Sequence, residues 1–373
     1  MSVCIIGAGP SGCICAYHLI KKGIEVSLFD KKSPLLSLLP TGGGRCNLGY
    51  AEYDYRELAK NYPRGEKFLY SVFSKFSTYD TIAMFREIEV ETYEQEDRRI
   101  FPKSNSAKDV REKILFSIKN ANFIKETVTD ILPLETGYKI KTNYSSYYFD
   151  NVIIATGGLR NKEAAINGIK HNICTLKPSL VGLNCNVNNL SGIVLNNVYS
   201  KDCKLSGDVL FTHFGVSGPL IYKISSIRAY SEYPYKLIFD LYPKEFNFQE
   251  ILNSNSKKLL KNILSEIFPH RFAEYITGKY SEFMACNVNA KIRDSIINKI
   301  HNFDLTISGT NKGEETVTAG GYNLNEIDSK TMESKIHKGL YIIGEALNVD
   351  GYCGGFNLQN AWSTAYVAAN SIK

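Results

Sequence analysis

The sequence predicts an α/β fold with a parallel sheet, interrupted by a β-rich segment that carries a helical insertion. Three observations predict it. Val3-Cys4-Ile5-Ile6 and Ile24 to Phe29 are short apolar runs flanking a helix-spaced stretch from Ser11 to Lys22, and such a βαβ start forces a parallel sheet with right-handed crossovers. From Leu180 to about Leu241 the pattern is short strands broken at Gly182, Gly192, Gly207 and the Gly215 to Pro219 cluster, the mark of a separate β-rich segment. Phe246 to His301 is rich in Leu, Ile, Lys and Asn at helical spacing, with Pro269 separating two helices.

The elements follow in order. In the first helix Ile14, Tyr17, His18 and Leu19 fall near one face, and Gly23 ends it. Helical spacing returns at Glu66 to Lys75, Thr78 to Glu87 and Ala107 to Lys119. Phe123 to Phe149 reads as a β meander with a turn at Glu135-Thr136-Gly137, and Val152 to Ala155 is a buried strand running into Thr156-Gly157-Gly158. Strand-like residues return from Asp304 to Thr318. Leu340 to Ile343 gives one more buried strand, and a helix from about Gly355 to Ile372 closes the chain.

Composition bounds the function. A chain of 373 residues buries about three-quarters of its unfolded surface, so a disordered tail or mini-scaffold is excluded. With 44% hydrophobic and 22% charged residues and no apolar stretch near the ~18 residues of a membrane span, a soluble protein is expected. The net charge of +6 is scattered rather than striped, so nucleic acid is not the expected partner. Nine cysteines without a CxxC or a Cys/His cluster signal neither disulfides nor metal, and the thiols read as reduced. The first residues lack the features of a signal peptide, which makes the cytoplasm the expected location.

Gly7-Ala8-Gly9-Pro10-Ser11-Gly12 is GxGxxG directly after a strand and opening a helix. The first glycine permits the turn, the second admits a pyrophosphate, and the third lets helix and strand pack closely. Asp30, followed by Lys31, ends the second strand, where a carboxylate accepts hydrogen bonds from the adenosine ribose. FAD and NAD both use this fingerprint. The far end of the chain favours FAD: Gly344-Glu345 through Asp350-Gly351 follows the last strand, and Gly354-Gly355-Phe356-Asn357-Leu358 opens the final helix. An acid there suits ribitol hydroxyls, and a helix N-terminus suits charge on a reduced flavin ring. No second GxGxxG occurs, so a separate NAD(P)H-binding domain is not expected. A further loop, Thr41-Gly42-Gly43-Gly44-Arg45-Cys46-Asn47, could approach a flat or phosphorylated ligand through its backbone.

Taken together, GAGPSG, TGGGRCN, RRIFPKS, IIATGG, FTHFGVSGP, VTAGGY, TMESK and GLYIIGEALNVDGYCGGFNLQNA resemble the bacterial flavoprotein family that includes aminoacetone oxidase and the bile-acid-inducible reductase-like proteins. The resemblance implies a Rossmann-type FAD-binding domain formed from both chain ends, with an inserted barrel-like β-rich domain carrying a helical subdomain. On that basis residues 1–178 and 322–373 form the FAD domain, 179–245 and 302–321 the β-rich insert, and 246–301 the helical part. It also implies that Val128 presents its backbone to adenine, that Thr156 and Gly157 line the cofactor, and that Cys46, Gly354, Gly355 and Asn357 lie near the flavin. Gly49-Tyr50, Asn348 and Phe356 depart from the family pattern, the first two changes removing polar groups beside the expected flavin site.

Catalytic residues are less legible. His213 is the candidate proton shuttle, because imidazole titrates near neutrality, and Cys46 is a candidate at the flavin. A histidine simply hydrogen-bonded at a strand-turn-helix junction is the competing reading, as packing is for Cys46. Arg98 or Arg99 could clamp an anion. The expected function is an FAD-dependent oxidoreductase acting on a small organic substrate, either a reductase fed by NAD(P)H or an oxygen-using oxidase. The alternative is a flavin-bearing redox sensor or RNA-associated regulator that does not turn over.

Overall fold

Val3 to Ile6 are at most 5% exposed, and Val26, Leu28 and Phe29 at most 2%; apolar runs buried on both faces pair as parallel strands covered by helices. The computed structural model describes residues 1–159, 166–187, 189–244, 247–311 and 317–373. In it these runs lie in a five-stranded sheet of order Leu340–Ile342, Asn151–Ile154, Ser2–Ile6, Glu25–Phe29 and Asn122–Ile124, every pair parallel. Its Leu340–Ile342 edge comes from the end of the chain, so both chain ends build the sheet. Helix Pro10–Lys21 starts with proline at its first turn, where no N–H is missed, and packs against the last helix, Phe356–Ser371.

One expectation is corrected here. The meander begins later than Phe123, because Asn122–Ile124 joins the parallel sheet beside Glu25–Phe29. Only Val128–Pro133, Tyr138–Thr142 and Ser146–Phe149 form the antiparallel meander. Its turn needs glycine: Gly137 has φ +74°, and a Cβ there would lie 2.4 Å from the Phe149 carbonyl oxygen.

By contacts the chain divides into two units, Met1–Lys177 with Val317–Lys373, and Pro178–Thr316. The second contains a closed barrel of six strands, in the order Leu183–Cys185, Gly215–Ser217, Leu205–Phe211, Val194–Ser200, Tyr235–Asp240 and Phe303–Thr310. Its helical part is more divided than expected, with α-helices Phe248–Ser254, Leu260–Leu264, His270–Thr277 and Ala290–His301. Phe272 carries the helices onto the barrel, its ring 5.6 Å from Phe211 and 5.9 Å from Phe303. The expected boundary at 245 and 246, and 312–316 of the expected Asp304 to Thr318 strand, lie outside the described residues. Among the described residues no helix is long and apolar enough to cross a membrane.

Candidate functional site

The glycines of the first loop do three different jobs. Gly7 has φ +107°, and a Cβ there would lie 2.3 Å from the Ala155 carbonyl oxygen, so only glycine lets the first strand turn against Asn151–Ile154. A Cβ on Gly12 would lie 1.9 Å from the Gly7 oxygen, so this position sets the close approach of helix and strand. Gly9 is open, with only the Ser37 hydroxyl within 4 Å at 3.9 Å, and no side chain caps the helix it begins. An uncapped N-terminus behind an open glycine is a place for a phosphate group. Pro10 and Ser11 continue this turn, and Ser11 packs on Gly344, where a Cβ would lie 2.6 Å from the serine hydroxyl.

Asp30 ties the loop to the second strand. Its carboxylate accepts from the Ala8 N–H at 2.8 Å and from the Lys32 N–H at 2.9 Å, leaving lone pairs for ribose hydroxyls. Lys31 is exposed beside it. Thr156 has a buried hydroxyl oxygen with no partner among the described residues, and Gly157, at φ +75°, has no atom within 4 Å of a Cβ position. Glu345 accepts from the Thr318 N–H at 3.0 Å. A Cβ on Gly158 would meet its carboxylate at 2.6 Å.

The second glycine loop is left-handed throughout, at φ +59°, +68° and +84° for Gly42, Gly43 and Gly44. Gly42 is packed, its Cβ position 2.8 Å from both the Asn47 nitrogen and Phe101, whereas Gly43 and Gly44 are open. Arg45 lays its guanidinium over the Phe101 ring at 4.1 Å, which orders it without a carboxylate. The Asn47 carbonyl oxygen is buried without a partner among the described residues. The last helix holds this loop from behind. Trp362 donates its indole N–H to the Leu48 oxygen at 2.9 Å, and Gly355 approaches so closely that a Cβ would lie 2.5 Å from the Gly49 oxygen. Gln359, fully buried, donates to Thr81 and Ser363 at 2.8 and 2.9 Å. The sequence reading missed these three ties; the chain's one Trp and a Gln on an apolar helix were the available signal.

Among the other candidates, Asp350 is 0% exposed and pairs with Arg64, a residue the sequence did not single out. Asn357 closes its own loop, donating to the Gly351 oxygen and accepting from the Gly351 N–H, both at 2.9 Å. Cys46 is buried at φ +65°, and desolvation pushes its thiol up to about 12, with the Thr41 hydroxyl pulling slightly down. A neutral thiol is a poor nucleophile. Arg98 pairs with Glu52 and Arg99 with Asp97, so neither is a free clamp. His213 belongs to the other unit, exposed on a turn closed by the Thr212 N–H to the Gly215 oxygen at 2.8 Å. Val128 and Leu358 are half-buried against the first unit's core, and Gly354, at φ +134°, packs on Phe356.

The residues fit a dinucleotide: open glycines at 9, 43, 44 and 157, an uncapped helix start, an acid after the second strand and two unpaired buried oxygens lie in segments that follow the carboxyl ends of parallel strands. The comparisons agree with this chemistry. The family model for the HI0933-like protein Rossmann domain matches residues 1–371. The ribosomal RNA dihydrouridine synthase of Haemophilus influenzae is 30% identical, with 99% of this chain and 97% of that protein covered. The 3-dehydro-bile acid delta(4,6)-reductase of Clostridium scindens is 26% identical, with 98% of each covered. Among solved structures, the 3-ketosteroid delta1-dehydrogenase of Sterolibacterium denitrificans superposes with a TM-score of 0.52 at 12% identity, covering 99% of this chain and 98% of that one; that likeness concerns the fold.

Proposed function

The chain belongs to the HI0933-like Rossmann family and is an FAD-dependent oxidoreductase, and on that premise we propose that it reduces the carbon–carbon double bond of a conjugated carbonyl system, its substrate a uracil base in ribosomal RNA. One observation carries this reading: two relatives that match along the whole chain bear names with different substrates and the same reaction type. Dihydrouridine synthesis saturates the uracil C5=C6 bond, which is conjugated with the C4 carbonyl. A 3-dehydro delta(4,6) reduction saturates a double bond conjugated with a C3 carbonyl. Both names also favour a reductase over an oxygen-using oxidase. Uracil is placed first because the relative that carries it is the more similar, at 30% against 26% identity.

Bound FAD would supply the hydride, and we propose NAD(P)H as its donor. The chain's own groups bind and orient. The Gly9 to Gly12 turn would hold the pyrophosphate and Asp30 the ribose. The uncapped start of the last helix at Gly355 would favour negative charge on the ring edge. Asn47, with its unpaired side-chain oxygen, would take a flavin N–H.

The test is incubation of the holoprotein with NADPH and unmodified ribosomal RNA, followed by mass spectrometry of the nucleosides. Dihydrouridine is the expected product. NADPH oxidation by a steroid dienone, with RNA unchanged, would move the assignment to the second substrate. No oxidation with either would refute the reading.

A further inference from the structure

Residues 61–65 lie outside the glycine loops, yet they are tied along their length to residues 349–356, the stretch that leads into the last helix. The Asn61 oxygen accepts from the Tyr352 N–H at 3.0 Å. Tyr62, 1% exposed, donates its hydroxyl to the Phe356 oxygen at 2.6 Å. Arg64 pairs with Asp350 through both Nε and a terminal nitrogen, and the two residues form an antiparallel bridge. Gly65 has φ +92°, and a Cβ there would lie 2.6 Å from the Val349 side chain. The Tyr62 ring closes the remaining space: a Cβ on Gly351 would lie 2.9 Å from it, and its centroid is 6.0 Å from that of Phe356.

These ties fix direction as well as distance. A bidentate guanidinium–carboxylate pair sets an angle, and a buried carboxylate holds on to its partner because an unpaired buried charge is costly. The Tyr62 hydroxyl sits on the carbonyl of Phe356, the first residue of the last helix. That helix start is itself kept bare. Of Phe356, Asn357 and Leu358 in the first turn, Asn357 alone is polar, and it spends its amide on the Gly351 N–H and oxygen. The turn carries no acid, and no side chain caps it among the described residues. A helix end that lacks its usual cap, while its lead-in is locked by a buried ion pair and a phenol, keeps its N–H groups in a fixed place for an outside acceptor.

We propose that residues 61–65 are a positioning clamp for the start of the last helix, with Tyr62 and Arg64 as its positioning residues. With FAD bound, they would hold that helix start at the ring edge, where its N–H groups favour the negative charge gained on reduction. The inference rests on the reading of the Gly355 helix start given above and names what holds it. Tyr62 at 1% and Asp350 at 0% exposure are out of reach of the ring, so the clamp acts through backbone and the two arms are positioning groups rather than catalytic ones.

The experiment is equilibrium reduction of the FAD-loaded full chain against a reference dye, followed across pH, for wild type, Tyr62→Phe and Arg64→Lys. Bound-FAD absorbance and the unfolding midpoint establish that each variant is folded and loaded; Tyr62→Phe, which removes a single oxygen, decides the question if Arg64→Lys does not load. On the acid side of neutrality the wild type should take up one proton with its two electrons, the behaviour of a reduced ring that keeps its negative charge. In each variant the equilibrium with the dye should move about fivefold toward oxidised flavin, the worth of one helix-end interaction, with proton uptake rising toward two. Variants that lose stability but match the wild type in potential and proton uptake would overturn the clamp and leave the helix reading standing. A wild type that takes up both protons removes the helix reading and the clamp with it.

Discussion

Replacing Trp362 with Phe measures how firmly the last helix holds the strand that follows the second glycine loop. Trp362 is 0% exposed, its ring edge-on to Phe85 at 5.4 Å, and its N–H reaches the Leu48 oxygen at 2.9 Å. Phenylalanine keeps most of the ring contact and deletes the donor. A buried carbonyl that loses its partner costs about 1–3 kcal/mol, and the smaller ring leaves a void worth roughly 1 kcal/mol at ~24 cal/mol per Å³. The sum is about 2–4 kcal/mol of lost stability. Leu48 directly follows Asn47 and precedes Gly49, against which Gly355 is packed, so slack here passes to the proposed flavin-facing atoms. Urea unfolding of the apoprotein by circular dichroism and an FAD titration by flavin fluorescence are the assays. A stability loss in that range with weaker FAD binding is expected. A change under about 0.5 kcal/mol, the size of an ordinary surface substitution, with unaltered FAD affinity would refute the argument that this bond holds the loop.

Other consequences follow from single groups. Asp30→Ala deletes two carboxylate bonds to backbone N–H groups and the proposed ribose contact, so FAD affinity should fall by about 2 kcal/mol, or ~30-fold in Kd; equal affinity in an equilibrium titration would count against the nucleotide site. His18 is held down to about 4 by burial first, then by Lys21, with Glu87 opposing. Its neutral form belongs to the fold, so its contribution is complete above the ordinary value of 6.5 and is lost as pH falls through the folded value. The loss reaches about 3 kcal/mol. His18→Phe should flatten the fall in unfolding free energy over that acid range, and an unchanged slope would exclude His18 as its source. Iodoacetamide at mildly alkaline pH should label exposed Cys286 and spare buried Cys46 in a peptide map; rapid labelling of native Cys46 would contradict its protonated state.

The parts read from the sequence are those whose physics is local. The strand, glycine turn and helix from Val3 to Lys22 announce themselves because periodicity and glycine chemistry act within a few residues. Asn122–Ile124 does not: it is an edge strand, with Asn122 and Phe123 exposed, so its pattern merges with the meander that follows. The ion pair of Asp350 was not legible for a different reason. Its partner Arg64 is 286 residues away, and nothing in the local pattern of an acid after a strand tells a sugar contact from a buried ion pair. Asn357 likewise spends its amide on Gly351. Cys46 shows the limit most plainly, since spacing places a thiol near a ligand but only packing decides whether it ionises. The scattered net charge pointed away from nucleic acid, and RNA stayed in view only through the alternative of an RNA-associated regulator; the uracil proposal comes from relatives, which composition does not reveal.

The most direct test of the central claim is an anaerobic single turnover. Holoprotein reduced photochemically would be mixed with unmodified ribosomal RNA while flavin absorbance is followed and the nucleosides are counted. The account predicts flavin reoxidation matched by an equal amount of dihydrouridine. Flavin that stays reduced with the RNA present, and reoxidises only when oxygen is admitted, would contradict it.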